Sequence, residues 1–205
     1  MKKIYLARHG ESLWNTLKMI QGQKDVPLTE KGIKQAKLLG KRLKDEKIDK
    51  IYSSDLLRAY ETARIVGEII NVEVIPCKEF REINFGIWEG MSNEELNKLY
   101  KKEYELWLRE PEKLILEGAE TLYDLQNRAI SGINKIINAE NNNLNNILIV
   151  SHSATIKAII LGLLDMNISY FKNLALGNVS LSVIEFRKYN MVLELFNDMN
   201  HIKER

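Results

Sequence analysis

Ile4-Tyr5-Leu6-Ala7-Arg8-His9-Gly10-Glu11-Ser12 is the stretch from which the rest of this chain is read. Ile4–Ala7 is an apolar run of the length of a buried strand, which periodicity alone does not separate from a helix segment. Gly10 punctuates its end. In an open α/β sheet, ligands bind just past the carboxyl ends of the strands. Arg8 and His9 therefore stand where chemistry is expected, although a lone Arg-His pair serves equally well as a surface cap. Far along the chain, Asn146-Ile147-Leu148-Ile149-Val150-Ser151-His152-Ser153 repeats the design, and a helix-like segment, Ala154 to Leu164, follows. The chain has three histidines, and two of them, His9 and His152, end apolar strands. Neighbouring strand ends converge, so the pair points to one shared site.

The chain has 205 residues and a formal net charge of +2, which fits one domain or one with a small insertion. Hydrophobic residues make up 45% of it, sufficient for a substantial core. Lysine and arginine nearly balance aspartate and glutamate, and no basic stripe marks a nucleic-acid partner. No segment approaches the ~20 apolar residues of a membrane span. The run after Met1-Lys2-Lys3 ends at Arg8, short of the about 7–15 apolar residues of a signal peptide. One cysteine, Cys77, excludes an internal disulfide framework, and a cytoplasmic location is expected. A thiol-based phosphatase loop needs an arginine six residues after its cysteine, where this chain has Ile83. Cys77 is therefore read as a small, half-buried residue. No Asp-x-Asp pair, His-Glu-x-x-His, Cys-x-x-Cys or Walker loop occurs. Neither a metal nor a cofactor is expected.

Taken in order, a polar loop runs from Gly10 to Thr29. Thr29 then caps a helix over Glu30–Lys44 with Ile33, Ala36, Leu39 and Leu43 on one face. A strand over Asp49–Ser53 leads into a helix capped by Ser54 or Asp55 and ending at Ile70. Val72–Ile75 is a further strand. This βα alternation predicts an α/β fold with a mostly parallel sheet between helical layers. Residues 79–120 break the rhythm; Leu96, Leu99, Tyr100, Tyr104, Trp107 and Leu108 suggest one or two helices of a lid-like insertion. Leu122–Asn138 is a helix, and the asparagine tract 141–146 a loop. Ser180–Phe186 and Met191–Phe196 read as an antiparallel edge hairpin. Ser153 is a good N-cap for the helix after it, and His201, in a mixed-charge tail, is expected in solvent.

Several blocks in order carry a resemblance: Leu6-Ala7-Arg8-His9-Gly10-Glu11-Ser12 with Asn15, Gln21-Gly22, Asp25-Val26-Pro27-Leu28-Thr29, Ser53–Ala59, Arg81–Gly86 and Val150-Ser151-His152. Together they resemble the histidine phosphatase superfamily, the phosphoglycerate mutase-like group, over nearly the whole chain. The resemblance implies a single domain, 1–205, with a three-layer αβα sandwich and a phosphohistidine formed on His9. It implies His152 opposite His9, donating to the phosphoryl group and best protonated. Glu82 becomes the general acid and base, its pKa raised beside apolar Phe85 and Trp88, with Glu11 or Glu89 next in line. Arg8, Arg58, Asn15, Gly10, Gln21 and Gly22 become the phosphate-binding set. A guanidinium fork suits phosphate oxygens, and two arginines should hold His9 neutral. Without the resemblance, Arg81-Glu82 reads as a surface ion pair. Ser153 replaces a usual glycine and Lys157 a common arginine, and both bear on substrate preference. The short insertion, Lys101-Lys102 in place of paired arginines, and the Pro27 block are similar to the phosphatase branch, which includes α-ribazole and phosphoserine phosphatases. The expected reaction is hydrolysis of a small phosphorylated metabolite. A phosphoglycerate mutase is the alternative, and a non-catalytic phosphate-binding module the least favoured. A homodimer is left open.

Overall fold

The apolar runs of the sequence become the strands of one six-stranded sheet, in the order β3-β2-β4-β1-β5-β6. A computed structural model describes residues 2–139 and 145–202. The strands are β1 (Lys2–Arg8), β2 (Lys50–Ser53), β3 (Val74–Pro76), β4 (Asn146–Ser151), β5 (Leu181–Phe186) and β6 (Met191–Asp198). β1, β2, β3 and β4 run parallel, whereas β5 is antiparallel to β1 and β6 to β5. Helices α2 (Glu30–Leu43) and α3 (Leu57–Ile70) cover one face; α6 (Leu122–Ala139) and α7 (Ser153–Leu163) cover the other. Ile4 and Leu6 pack with Ala129, Ile133, Ile156 and Ile160, while Tyr5 and Ala7 pack with Leu39, Leu43, Ala59 and Ala63. A strand buried on both faces is apolar at every position, which is why periodicity alone could not identify it. The α/β sandwich with an antiparallel edge is the expected one.

The loop 10–29 contains a single helical turn, α1 (Leu13–Thr16), that its polar composition concealed. At α2, Thr29 Oγ1 accepts the Gly32 N–H at 3.0 Å, as expected of the cap. At α3 the expected caps are otherwise engaged. The cap position is Leu56, and Asp25, from the loop before α2, accepts the Leu57 N–H at 2.8 Å. Asp55 is held by Arg81 and Ser54 lies against His152. At α7 the N-cap is His152, without a side-chain cap bond, and Ser153 is the first helical residue rather than the cap. Ser153 has no positive φ, so its substitution for glycine brings no backbone strain there.

Residues 79–120 form two helices, α4 (Asn93–Leu99) and α5 (Lys101–Arg109), with short turns on either side. Phe85, Trp88, Leu96 and Leu114 pack with Leu122, Leu125, Ala154 and Phe171, so this segment extends the core beyond the α6–α7 layer. Leu99 and Leu108, counted on the apolar face, are instead 62% and 57% exposed. Part of the asparagine tract, residues 141–144, lies outside the described residues. Asn146 opens β4 rather than belonging to a loop, and Asp49 accepts the N–H groups of Asn145 and Asn146. The hairpin forms as expected, with β6 extending to Asp198. His201 corrects the reading of the tail: it is half-buried, in the turn Asn200–Ile202, whose Ile202 packs on the α2–α3 side of the core. Cys77 is half-buried, and burial pushes its thiol up to about 11. Among the described residues, no helix is long and apolar enough to cross a membrane.

Candidate active site

β1 and β4 are adjacent and in register, with Arg8 opposite Ser151. The next residue of each strand is a histidine, so His9 and His152 emerge side by side, ring centroids 5.2 Å apart. Both rings are buried. His9 Nδ1 lies 2.7 Å from the Gly10 carbonyl oxygen. That oxygen can only accept, so Nδ1 carries the proton and Nε2 keeps its lone pair. Burial, then Arg58 and Arg8, holds the pKa of His9 well below its ordinary value. The expected neutral histidine is present, with burial ahead of the two cations as the cause.

Arg58 is 1% exposed and comes from the first turn of α3. Its guanidinium donates to the carbonyls of Lys24 and Gly22, both at 2.8 Å. Burial lowers its pKa to about 10, which leaves it charged at neutral pH. Arg8 donates to Leu176 O at 2.6 Å. Each arginine has a buried Nε without a partner among the described residues. Gly10 N–H donates to Thr62 Oγ1 at 3.0 Å, and the Thr62 hydroxyl donates to Arg58 O at 2.7 Å. The Gly10 amide is thereby engaged in tying the His9 turn to the Arg58 helix. Its lack of a side chain serves packing, since a Cβ there would lie 2.6 Å from Gly32 O. Gly22 adopts a left-handed φ of 48°, and a Cβ would strike Glu89. Its carbonyl is taken by Arg58, and its N–H is engaged by no other described residue.

Asn15 Oδ1 receives Ser12 N–H at 3.1 Å and Asn178 Nδ2 at 3.1 Å. With the carbonyl end so occupied, the amide nitrogen is the end left to donate. The buried Ser12 hydroxyl lies between the side-chain oxygens of Asn15 and Gln21 and draws Gln21 to the same loop.

Glu82 meets several hydrogen-bond donors. Its carboxylate lies over the first turn of α7 and accepts the N–H groups of Ala154 and Thr155 at 3.3 and 3.2 Å. It also accepts the Ile83 N–H at 3.1 Å and lies 3.2 Å from the Thr155 hydroxyl, whose one proton is nearer the Arg81 carbonyl at 2.8 Å. A helix N-terminus favours an anion. Nor do Arg81 and Glu82 pair: Arg81 makes a two-pronged bond to Asp55 at 2.7 and 2.6 Å. Arg128 fixes the loop that bears Glu82. Its guanidinium reaches the carbonyls of Lys78, Glu79, Arg81 and Glu82 and both carboxylate oxygens of Glu120.

His152 is the residue for which an imidazolium is expected. Burial, then the charges of Arg58, His9 and Arg8, lowers its pKa well below the ordinary value, which favours the neutral ring. Its Nε2 lies 2.8 Å from Ser54 Oγ. Glu11 and Glu89 are employed elsewhere. Glu11 binds Lys31 and Thr29, and Glu89 accepts the N–H groups of Gln23 and Phe85. Lys157, one turn along α7, is half-buried with its ammonium 4.6 Å from the centre of the Phe171 ring. It has no ion-pair partner among the described residues, and Glu82 and Arg8 are its charged neighbours. Among the described residues, no group of three His, Cys, Asp or Glu converges as metal ligands would.

The structure therefore brings Arg8, His9, Arg58, Glu82 and His152 together, with Asn15, Gln21 and Gly22 on the adjoining loop. Ser54, inside the Ser53–Ala59 block, was read only as a helix cap, and Thr62, Thr155, Asn178 and Arg128 are the residues that sequence reasoning missed. Only Arg128 left a signal, as a charge beside the apolar positions Leu125 and Ala129 of α6.

Known proteins share this fold. Phosphoserine phosphatase 1 of Hydrogenobacter thermophilus is 36% identical over 204 residues, covering 100% of this chain and 96% of that one. A probable phosphoglycerate mutase of Yersinia pestis is 31% identical over 211 residues, covering 98% and 95%. The phosphoserine phosphatase of Entamoeba histolytica, solved as an H9A mutant with phosphoserine, is 35% identical with a TM-score of 0.83, covering 99% of this chain and 100% of that one. The same enzyme with 3-phosphoglyceric acid gives a TM-score of 0.86. The profile of the histidine phosphatase superfamily (branch 1) matches residues 4–199, the span from the first strand to the end of the last. With both histidine-bearing strand ends inside that match, the chain belongs to the histidine phosphatase superfamily, in its first branch.

Proposed function

We propose that the protein is a phosphomonoesterase that hydrolyses a small phosphorylated metabolite through a phosphohistidine on His9. The observation that carries this reading is the 2.7 Å contact of His9 Nδ1 with Gly10 O, which leaves Nε2 unprotonated in the field of Arg58 and Arg8. Phosphoryl transfer depends mainly on positioning and charge stabilisation. Nε2 attacks phosphorus while the bond to the leaving oxygen breaks. Arg8, Arg58, the Asn15 amide and the Gly22 N–H bear the charge on the phosphoryl oxygens.

Glu82 is the proton carrier. An arriving phosphate adds about −1.5 to −2 charge beside it, and like charge raises a carboxylate's proton affinity. The proton of a monoanionic ester can thus pass to Glu82 and on to the leaving alkoxide. In the second step Glu82 takes a proton from water as that water attacks phosphorus. The P–N bond breaks, His9 returns to neutral imidazole, and inorganic phosphate leaves with the proton that Glu82 took from water. Residues 79–120 serve as the wall and lid over this site.

Lys157 supports a finer reading of the substrate. A half-buried cation beside Glu82 and Arg8 suits a second anionic group close to the phosphate ester. Phosphoserine and 3-phosphoglyceric acid, bound by the Entamoeba enzyme, both carry a carboxylate there. A phosphorylated carboxylic acid is the substrate class proposed.

The test is rapid quenching during turnover, followed by mapping of the phosphorylated residue. An acid-labile, base-stable phosphoryl group on His9, lost in His9→Ala, is expected. Label on Cys77 or on a serine would overturn the mechanism. The mutase alternative is separated by supplying 3-phosphoglycerate with a bisphosphoglycerate primer: isomerisation faster than phosphate release would favour it.

A further inference from the structure

His152 Nε2 and Ser54 Oγ are 2.8 Å apart, and both side chains are fully buried. Two arrangements fit that distance. The ring N–H donates to the hydroxyl, or the hydroxyl donates to the ring. Counting protons separates them. Ser54 Oγ already accepts the Leu56 N–H at 3.3 Å. Were it also to accept from His152, its own proton would have no acceptor among the described residues, an unfavourable state in a dry interior. With the hydroxyl donating, the proton of Ser54 and one of its lone pairs are used. Nε2 is then the acceptor, and the ring's proton sits on Nδ1.

Nδ1 is buried and has no partner among the described residues. The neutral ring favoured above has a single N–H to offer. In one tautomer that N–H is available to the phosphoryl group beside His9. In the other, Nδ1 would present a lone pair to an anion. We propose that Ser54 is a positioning residue: its hydroxyl donates to Nε2 and fixes His152 as the neutral Nδ1–H tautomer, which donates to the phosphoryl oxygens. This rests on the phosphohistidine reading for the location of those oxygens. It also removes the need for an imidazolium between two arginines. Selecting a tautomer supplies the donor without adding a third positive charge.

Nitrogen-15 NMR of the histidine-labelled full chain tests this directly. The expected spectrum of the wild type near pH 7.5 has His152 protonated at Nδ1 and bare at Nε2. An Nε2–H tautomer or an imidazolium overturns the proposal. That measurement needs neither turnover nor a variant, so its failure is distinct from failure of the hydrolytic mechanism. In Ser54→Ala the two tautomers should mix. Removing such a donor outright costs 10²–10³ in kcat, and a mixture retains part of it, so a fall of about 10-fold is expected with little change in KM. In a His152→Ala background the same change should lower kcat by less than about twofold. Equal effects of Ser54→Ala in the two backgrounds, or a wild-type-like kcat in folded Ser54→Ala, would assign Ser54 to packing alone.

Discussion

Glu82→Gln separates proton delivery from the architecture that holds Glu82. Three of the four contacts converge on Oε1, from Ile83 N, Thr155 N and Thr155 Oγ1 at 3.1, 3.2 and 3.2 Å. A glutamine oxygen can keep all three. Its NH2 then takes the place of Oε2 and faces the Ala154 N–H, donor against donor. That contact is the longest of the set, at 3.3 Å. Losing one such bond costs about 1 kcal/mol, or a melting temperature lower by about 2–4 °C for a chain of this size. The fold survives while the titrating proton is gone. General acid catalysis contributes about 10²–10⁴-fold, and only where the leaving oxygen is basic. Single-turnover phosphorylation of His9 by an alkyl phosphate should therefore slow by about that factor. With p-nitrophenyl phosphate, whose phenolate leaves unaided, the slowing should stay below about 10-fold. Equal slowing with both leaving groups would refute the assignment. Glu11 and Glu89 are already committed to Lys31, Thr29, Gln23 and Phe85, so the ester's own proton would then be the remaining source.

His9 should make stability pH-dependent. Its pKa in the folded chain lies well below the ordinary 6.5, so the unfolded state binds more protons as pH falls and stability is lost below that value. At about pH 5.5 the loss from His9 is about 1.4 kcal/mol. Urea unfolding of His9→Gln should accordingly show about that much less loss than wild type between pH 8 and pH 5.5, and equal losses would contradict it. Lys157→Met should lower kcat/KM for phosphoserine by about 10–100-fold, the worth of a charge-assisted bond. It should leave phosphoethanolamine, which lacks the carboxylate, within about threefold; parallel losses would remove Lys157 from substrate recognition. Arg128→Lys puts one ammonium where a fork reaches four carbonyls and a carboxylate. Steady-state kinetics should show kcat down by about 10-fold with KM nearly unchanged, and an unchanged kcat in the folded variant would show that Glu82 does not depend on it.

The sequence was most informative where a local pattern has one physical meaning. Ile4–Ala7 and Ile147–Val150 are apolar at every position because both faces of a central parallel strand are buried, and the histidine after each then falls at a strand end. The cap of α2, the helix faces of α2 and α6, and the edge hairpin follow from local chemistry in the same way. The motif blocks named the charged residues of the site. Partnership is what one dimension could not carry. Asp55 and Ser54 are good caps by type, yet Arg81 and His152 engage them, and Asp25 from a distant loop caps α3 in their place. Glu82 reads as a carboxyl beside aromatic residues, but the turn between β4 and α7 brings backbone N–H groups to it. His152 was expected to be charged because a donor was needed; burial beside two arginines favours the neutral ring. Leu99 and Leu108 were counted on one apolar face with Leu96, yet they face solvent, because Leu96 is the one buried residue of α4 and α5 has none. Residue type and spacing determined which groups reach the site. Only the tertiary fold, by setting which donors and charges surround each group in a dry interior, decided its protonation and its partner.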